Sequence, residues 1–121
     1  MHRDLELLRK IVLKIEDSES SRAPETLVFD GYTGNQVLYH SWLLLDAGLV
    51  TGHEATHINS TGKEALITGL TSKGHDFAEM ARSDAVWNKA IQKVKEVSQA
   101  VTIEMFTQLL KNEVKSALKL F

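Results

Sequence analysis

Between Thr33 and Leu49 the stretch TGNQVLYHSWLLLDAGL carries both a start and a stop signal for one helix, and that bracket limits everything downstream. Thr33 and Gln36, three residues apart, form a capping box in which each side chain satisfies a backbone N–H of the first turn that the helix itself leaves unpaired. Val37, Leu38, Trp42, Leu44 and Leu45 supply apolar surface. Gly48 stands where a helix needs a left-handed residue to stop, and Leu49 is placed to fold back onto the last turn. The helix over residues 34–47 therefore ends before Gly48. Next come LVTGHEATHI, the turn-rich NSTGK and EALITGL. Two β-prone segments about a turn predict a hairpin.

That boundary decides how to read His53–Glu54–x–x–His57, the H-E-x-x-H pattern of zinc hydrolases. The chemistry needs a helix, where side chains four residues apart lie about 6 Å from each other and share one metal. On an extended strand the two histidines stand about 13 Å apart, at about 3.3 Å per residue, and cannot share it. Gly52 before His53 and the β-branched Thr56 and Ile58 favour the strand. A third ligand would have to be Glu79 or His75, and nothing in the spacing places either. The pattern reads as polar residues on a hairpin, with no metal and no cofactor implied.

The remaining chain is mainly helical. Leu5, Leu8, Val12 and Ile15, widened by Leu7 and Ile11, mark an amphipathic helix over residues 3–17. EDSESSRAPE, which holds the only proline, reads as a loop, and TLVFDGY as one short strand. Thr71 caps a helix that turns Phe77, Met80 and Ala81 inward, and Ser83 or Asp84 caps another with Trp87, Ile91, Val94 and Val97 along one side. A last helix from near Thr102 carries Ile103, Phe106, Leu110, Val114, Ala117 and Phe121 at steps of three and four. The expected fold is α+β: a winged-helix-like order of helix, short strand, helix, β-hairpin and helix, with two additional C-terminal helices. One domain, 1–121, is expected, divided into a core over 1–82 and a helical extension over 83–121.

Composition narrows the function. With no cysteine there are neither disulfides nor thiolate sites. No apolar run approaches the length of about 20 residues that spans a bilayer, and the start MHRDLELLRK does not read as a signal peptide, so a cytoplasmic protein is expected. No Gly-rich phosphate loop is present, since TGLTSKG lacks the spacing, and no Ser-His-Asp set or carboxylate pair is placed; no enzyme is expected. Residues 1–60 carry five Lys or Arg against nine Asp or Glu, and residues 61–121 carry nine against seven. Neither half has a strong basic excess.

Two stretches, LYHSWLLLDAGLV and LTSKGHDFAEMARSDAVWNKAIQKV, resemble the bacterial and prophage family catalogued as domain of unknown function 2513. Its opening is matched by Met1, Arg3 and Asp4, and its Tyr-His and Leu-Leu-x-x-Ala-Gly-Leu segment by Tyr39, His40, Leu44, Leu45, Ala47, Gly48 and Leu49. Its Leu-Thr-x-x-Gly-His-x-Phe segment is matched by Leu70, Thr71, Gly74, His75 and Phe77, followed by Arg82 and Trp87. Ser72 stands where many members have tryptophan. The resemblance covers nearly the whole chain. It implies a winged-helix-like fold in a phage-derived or bacterial cytoplasmic protein and supplies no catalytic residues.

In a winged helix that reads DNA, the helix before the hairpin enters the major groove and the hairpin touches the backbone. Here that assigns Asn35, Gln36 and Tyr39 to bases, Lys63 and Lys73 to phosphate, and double-stranded DNA as the expected partner, in a regulatory role. Against it, residues 34–47 hold no Lys or Arg, so positive charge would have to come from Lys73, Arg82, Lys89, Lys93 and Lys95. The alternative is a non-enzymatic protein-interaction module that keeps the fold without binding DNA. Most of the stripe of Phe106, Leu110, Val114 and Phe121 is expected to pack onto its own domain, and its surplus offers a homodimer interface compatible with either role. His40 and His75 read as hydrogen-bonded structural residues, and Trp42 and Trp87 as core anchors.

Overall fold

A computed structural model of the chain describes residues 2–18, 27–55, 62–97 and 101–118. Among these residues, five helices and a two-stranded antiparallel sheet make the fold α+β. The chain divides into two compact units, Met1–His75 and Asp76–Phe121. The division falls inside the helix that spans Ser72–Arg82.

The N-terminal unit opens with α1 (Leu5–Glu16). Asp4 caps it, its side chain accepting the Leu7 N–H at 3.2 Å. Leu7, Leu8, Ile11, Val12 and Ile15 are buried along one stripe, each fully buried leucine or isoleucine contributing about 1.5–3 kcal/mol of transfer free energy. Helix α2 (Gly34–Asp46) has the capping box at Thr33 and Gln36 and buries Val37, Leu43 and Leu44 toward the core. Its end is a Schellman turn: Gly48 at φ 78° donates to the Leu45 carbonyl and Leu49 to that of Leu44, and Leu49 is buried.

That turn leads straight into β1 (Val50–Glu54), which pairs with β2 (Ala65–Leu70). Val50 and Ala65 point inward while Thr51, His53, Leu66 and Thr68 face out. Opposite Thr51 and Gly52 the register skips Thr68, a bulge. At this point Gly52 leaves no room for a Cβ beside the Leu66 carbonyl. Thr71 then ties the next helix down, its N–H donating to Leu49 O at 3.0 Å and its hydroxyl to Gly48 O at 2.7 Å. The same hydroxyl oxygen accepts the Gly74 N–H and so caps α3 (Ser72–Arg82).

The strand expected in TLVFDGY is not found. Residues 27–29 are irregular, Asp30 and Gly31 form a turn closed by the Tyr32 N–H to Phe29 O, and Val28 is 73% exposed. β1 and β2 pair only with each other among the described residues, and β-prone side chains without a partner edge gain nothing from being extended. Thr26 lies outside the described residues.

The C-terminal unit holds the rest of α3 together with α4 (Asp84–Glu96) and α5 (Ile103–Leu118). Ser83 caps α4 and Thr102 caps α5, through Val86 N–H and Met105 N–H respectively. Its centre is the Trp87 ring, edge-on to Phe77 at 6.3 Å and to Phe106 at 5.0 Å. Edge-to-face contact suits ring quadrupoles and contributes about 0.5–1.5 kcal/mol per pair beyond burial. Ala78, Ala81 and Ala90 are fully buried in the same unit. Glu113, also buried, is ion-paired with Lys93, so α4 and α5 are joined by charge as well as by rings. The expected α4 stripe fades toward its end: Ile91 and Val94 are half-buried, and Val97 is exposed just past the last turn.

Candidate functional site

The surface formed by α2, the hairpin and the start of α3 is where the sequence places recognition, through five side chains. Asn35 is exposed at the start of α2. Gln36 is half-buried and turned back on the backbone, its side-chain oxygen accepting the Thr33 N–H at 2.8 Å. Tyr39 is half-buried with its ring edge-on to His40 at 5.5 Å. Lys63 reaches α2 from the hairpin: its ammonium lies over the Trp42 ring, 5.4 Å from the centroid. Lys73 is exposed in the first turn of α3. That turn is tied by Thr71 to Gly48, at the opposite end of α2 from Asn35. Thirteen helical residues separate those ends, about 20 Å at about 1.5 Å per residue. Lys73 and Asn35 therefore do not converge, and Gln36 and Lys63 already have partners.

Trp42, expected in the core, is instead half-buried at the margin between α2 and the hairpin. The helix face that carries it is turned away from Val37 and Leu44, and its indole N–H donates to Glu54 Oε1 at 2.9 Å. Trp42, Glu54 and Lys63 thus form one cluster spanning α2 and both arms of the hairpin, a juxtaposition no local pattern announced. Glu54 belongs to the H-E-x-x-H stretch, and its role here is to orient an indole. His53 and Glu54 sit on β1, not on a helix, as the sequence expected. His57 lies outside the described residues. Among the described residues no three His, Asp or Glu side chains come together in a way that could hold a metal.

A second cluster lies behind α2. His40 is buried, with Nε2 accepting the backbone N–H of Asp4 at 2.8 Å and Nδ1 lying 2.7 Å from the Gln36 carbonyl. A backbone N–H only donates and a carbonyl only accepts, so the proton sits on Nδ1 and the ring is neutral. Burial pushes its pKa below the ordinary value, aided by Arg3 and opposed by the Gln36 carbonyl and the Asp4 carboxylate. Asp4 also accepts the Tyr32 hydroxyl at 3.0 Å, and burial together with this carboxylate raises the tyrosine pKa. The cluster ties the cap of α1 to α2, the structural role expected for His40. Asp4 was the missed member. Its signal was an aspartate directly before the apolar stripe of α1. His75, half-exposed, stands 3.7 Å from Glu16.

The expected dimer stripe is largely consumed. Phe106 and Leu110 are fully buried in their own unit, because Trp87 and the α4–α5 contact cover that face of α5. Val114 is half-buried, and Phe121 lies outside the described residues. Among the described residues no helix is long and apolar enough to cross a membrane.

Residues 2–101 match the family model described as "Hypothetical protein (DUF2513)". A Haemophilus influenzae protein described as "Uncharacterized protein" is similar, 34% identical over 113 residues that cover 90% of this chain and 92% of that one. No solved structure matches. The family motifs fall on the elements just described: the Arg3–Asp4 start and the Tyr39–His40 pair meet at the Asp4–His40 hydrogen bond, the Ala47–Gly48–Leu49 segment is the Schellman turn, and the Thr71–Gly74 segment is the α3 cap. The chain belongs to the DUF2513 family.

Proposed function

We propose that this protein is a non-catalytic recognition module, with a reduced winged-helix unit whose α2–hairpin surface contacts another protein. The winged-helix reading rests on the order α1, α2, hairpin, α3 and on the turn that delivers α2 directly into the hairpin. The first strand of that architecture has no counterpart among the described residues.

The choice of ligand rests on charge. Phosphate contacts supply much of the affinity for nucleic acid. Helix α2 has no Lys or Arg, Lys63 is drawn onto Trp42, and Lys73 stands at the far end of the helix from Asn35. Half-buried Tyr39 and Trp42 are the residue types that dominate protein–protein contacts. Double-stranded DNA is the second reading, favoured by exposed Asn35, whose amide suits an adenine edge. A photoreactive residue in place of Tyr39, activated in cells, separates the two. Adducts removed by protease and untouched by nuclease are expected; adducts removed by nuclease would replace the protein with DNA.

A further inference from the structure

Trp42, on the α2–hairpin surface, is held in place by one charged neighbour and covered by another. Glu54 accepts its indole N–H, which fixes the ring and sets a full negative charge at its edge. Lys63 lies over the ring within the range of about 6 Å at which a cation is attracted to an aromatic face, and tryptophan is the best such face. Both Glu54 and Lys63 are exposed, so the cluster opens to solvent. Lys63 is a compact ammonium on a flexible stem, tethered nearby at high effective concentration. It occupies a place whose shape and charge suit a better ligand.

We infer that the Trp42 ring and the Glu54 carboxylate form a seat for an arginine side chain of a partner protein, with Lys63 as its resident stand-in. A planar guanidinium stacks on an indole and offers parallel donors to a carboxylate, which an ammonium cannot do. The surroundings favour a basic segment. Asp46 is exposed on α2, the helix has no cation of its own, and residues 1–75 carry seven Lys or Arg against ten Asp or Glu. Complementary charge of this kind speeds encounter and rejects acidic partners. Binding displaces Lys63, so that lysine sets how readily the seat opens. The inference rests on the protein-contact reading of this surface.

The test follows the Trp42 indole N–H resonance while acetyl-Ala-Arg-Ala-amide is added, with buried Trp87 as an internal reference for an intact fold. The expected result is a saturable shift at Trp42 alone, absent with the citrulline peptide, which keeps the shape and loses the charge. Lys63→Ala should tighten binding about two- to fivefold, the equivalent of one exposed cation–π contact. Glu54→Gln, which keeps an oxygen for the indole N–H but not the charge, should weaken it. No saturable shift in the Lys63→Ala variant, or an equal response to citrulline, overturns the seat. If mixed duplex DNA shifts the same resonance with a steep salt dependence, the protein-contact reading beneath it falls instead.

Discussion

Trp87 and Trp42 both sit on helices with well-formed caps, yet the chain uses them in opposite ways. Trp87 is enclosed between Phe77 and Phe106, and its unit spends its aromatic surface on its own interior. Trp42 stands half-buried between a carboxylate and an ammonium, and the core beneath it is aliphatic: Leu7, Ile11, Leu44 and Leu49. Aliphatic side chains dominate that N-terminal core, and the half-buried ring meets a carboxylate and an ammonium at its rim. The contrast leaves an aromatic ring accessible at the rim of α2 and the hairpin, whereas Phe106 and Leu110 of α5 are fully buried in their own unit.

The largest effect sharpens this contrast. Trp87→Ala should cost about 3–5 kcal/mol in urea unfolding, as for other large aromatics removed from a core. Trp42→Ala should cost about 0.5–1.5 kcal/mol, the worth of one hydrogen bond at a surface. Equal costs would mean that Trp42 is a core residue after all, and the distinction between the two regions would collapse. Next comes Gly74→Ala. A Cβ at Gly74 would run into the carbonyl oxygen of Leu49, a backbone atom that also accepts the Thr71 N–H. Overpacking of this kind costs about 1–3 kcal/mol. A neutral result would show that α3 is not pinned against the turn that feeds the hairpin.

The smallest effect depends on pH and belongs to the N-terminal unit alone. His40 is held neutral in the fold, with its pKa below the ordinary 6.5 that it regains when the chain unfolds. Below pH 6.5 the unfolded chain therefore binds more protons, and the stability held above that pH is lost as the pH falls toward the depressed value. Unfolding midpoints measured from pH 7.5 to pH 5 should decline in the wild type, with a flatter profile in His40→Leu. Parallel profiles would show that the ring is not the group responsible.

Much of this fold was legible because its signals are local. Thr33 and Gln36 announce the start of α2, Gly48 and Leu49 its end, and Thr71, Ser83 and Thr102 the helices after it. Each of these acts through a backbone N–H or carbonyl within a few residues. The failures share the opposite cause. The residues of TLVFDGY have strand propensity, but only a neighbouring edge could have used it. Periodicity marks the stripe on α5 as apolar but does not say how α4 and a second copy would divide it; Phe106 and Leu110 are buried in their own unit. The candidate seat was hidden for the same reason. Trp42, Glu54 and Lys63 lie 12 and 21 positions apart from first to second and first to third, and the fold of the hairpin brings them together.

The proposed preference of the α2–hairpin surface for protein over nucleic acid is tested most directly by fluorescence anisotropy of mixed duplex DNA across a salt series. The expected outcome is no saturable binding even at the lowest salt, because α2 carries no Lys or Arg and Lys63 is drawn onto Trp42, which leaves few phosphate contacts to release counterions. Saturable binding that falls steeply as salt rises would contradict it, since that slope counts phosphates contacted, and would return α2 to the role of a DNA-reading helix.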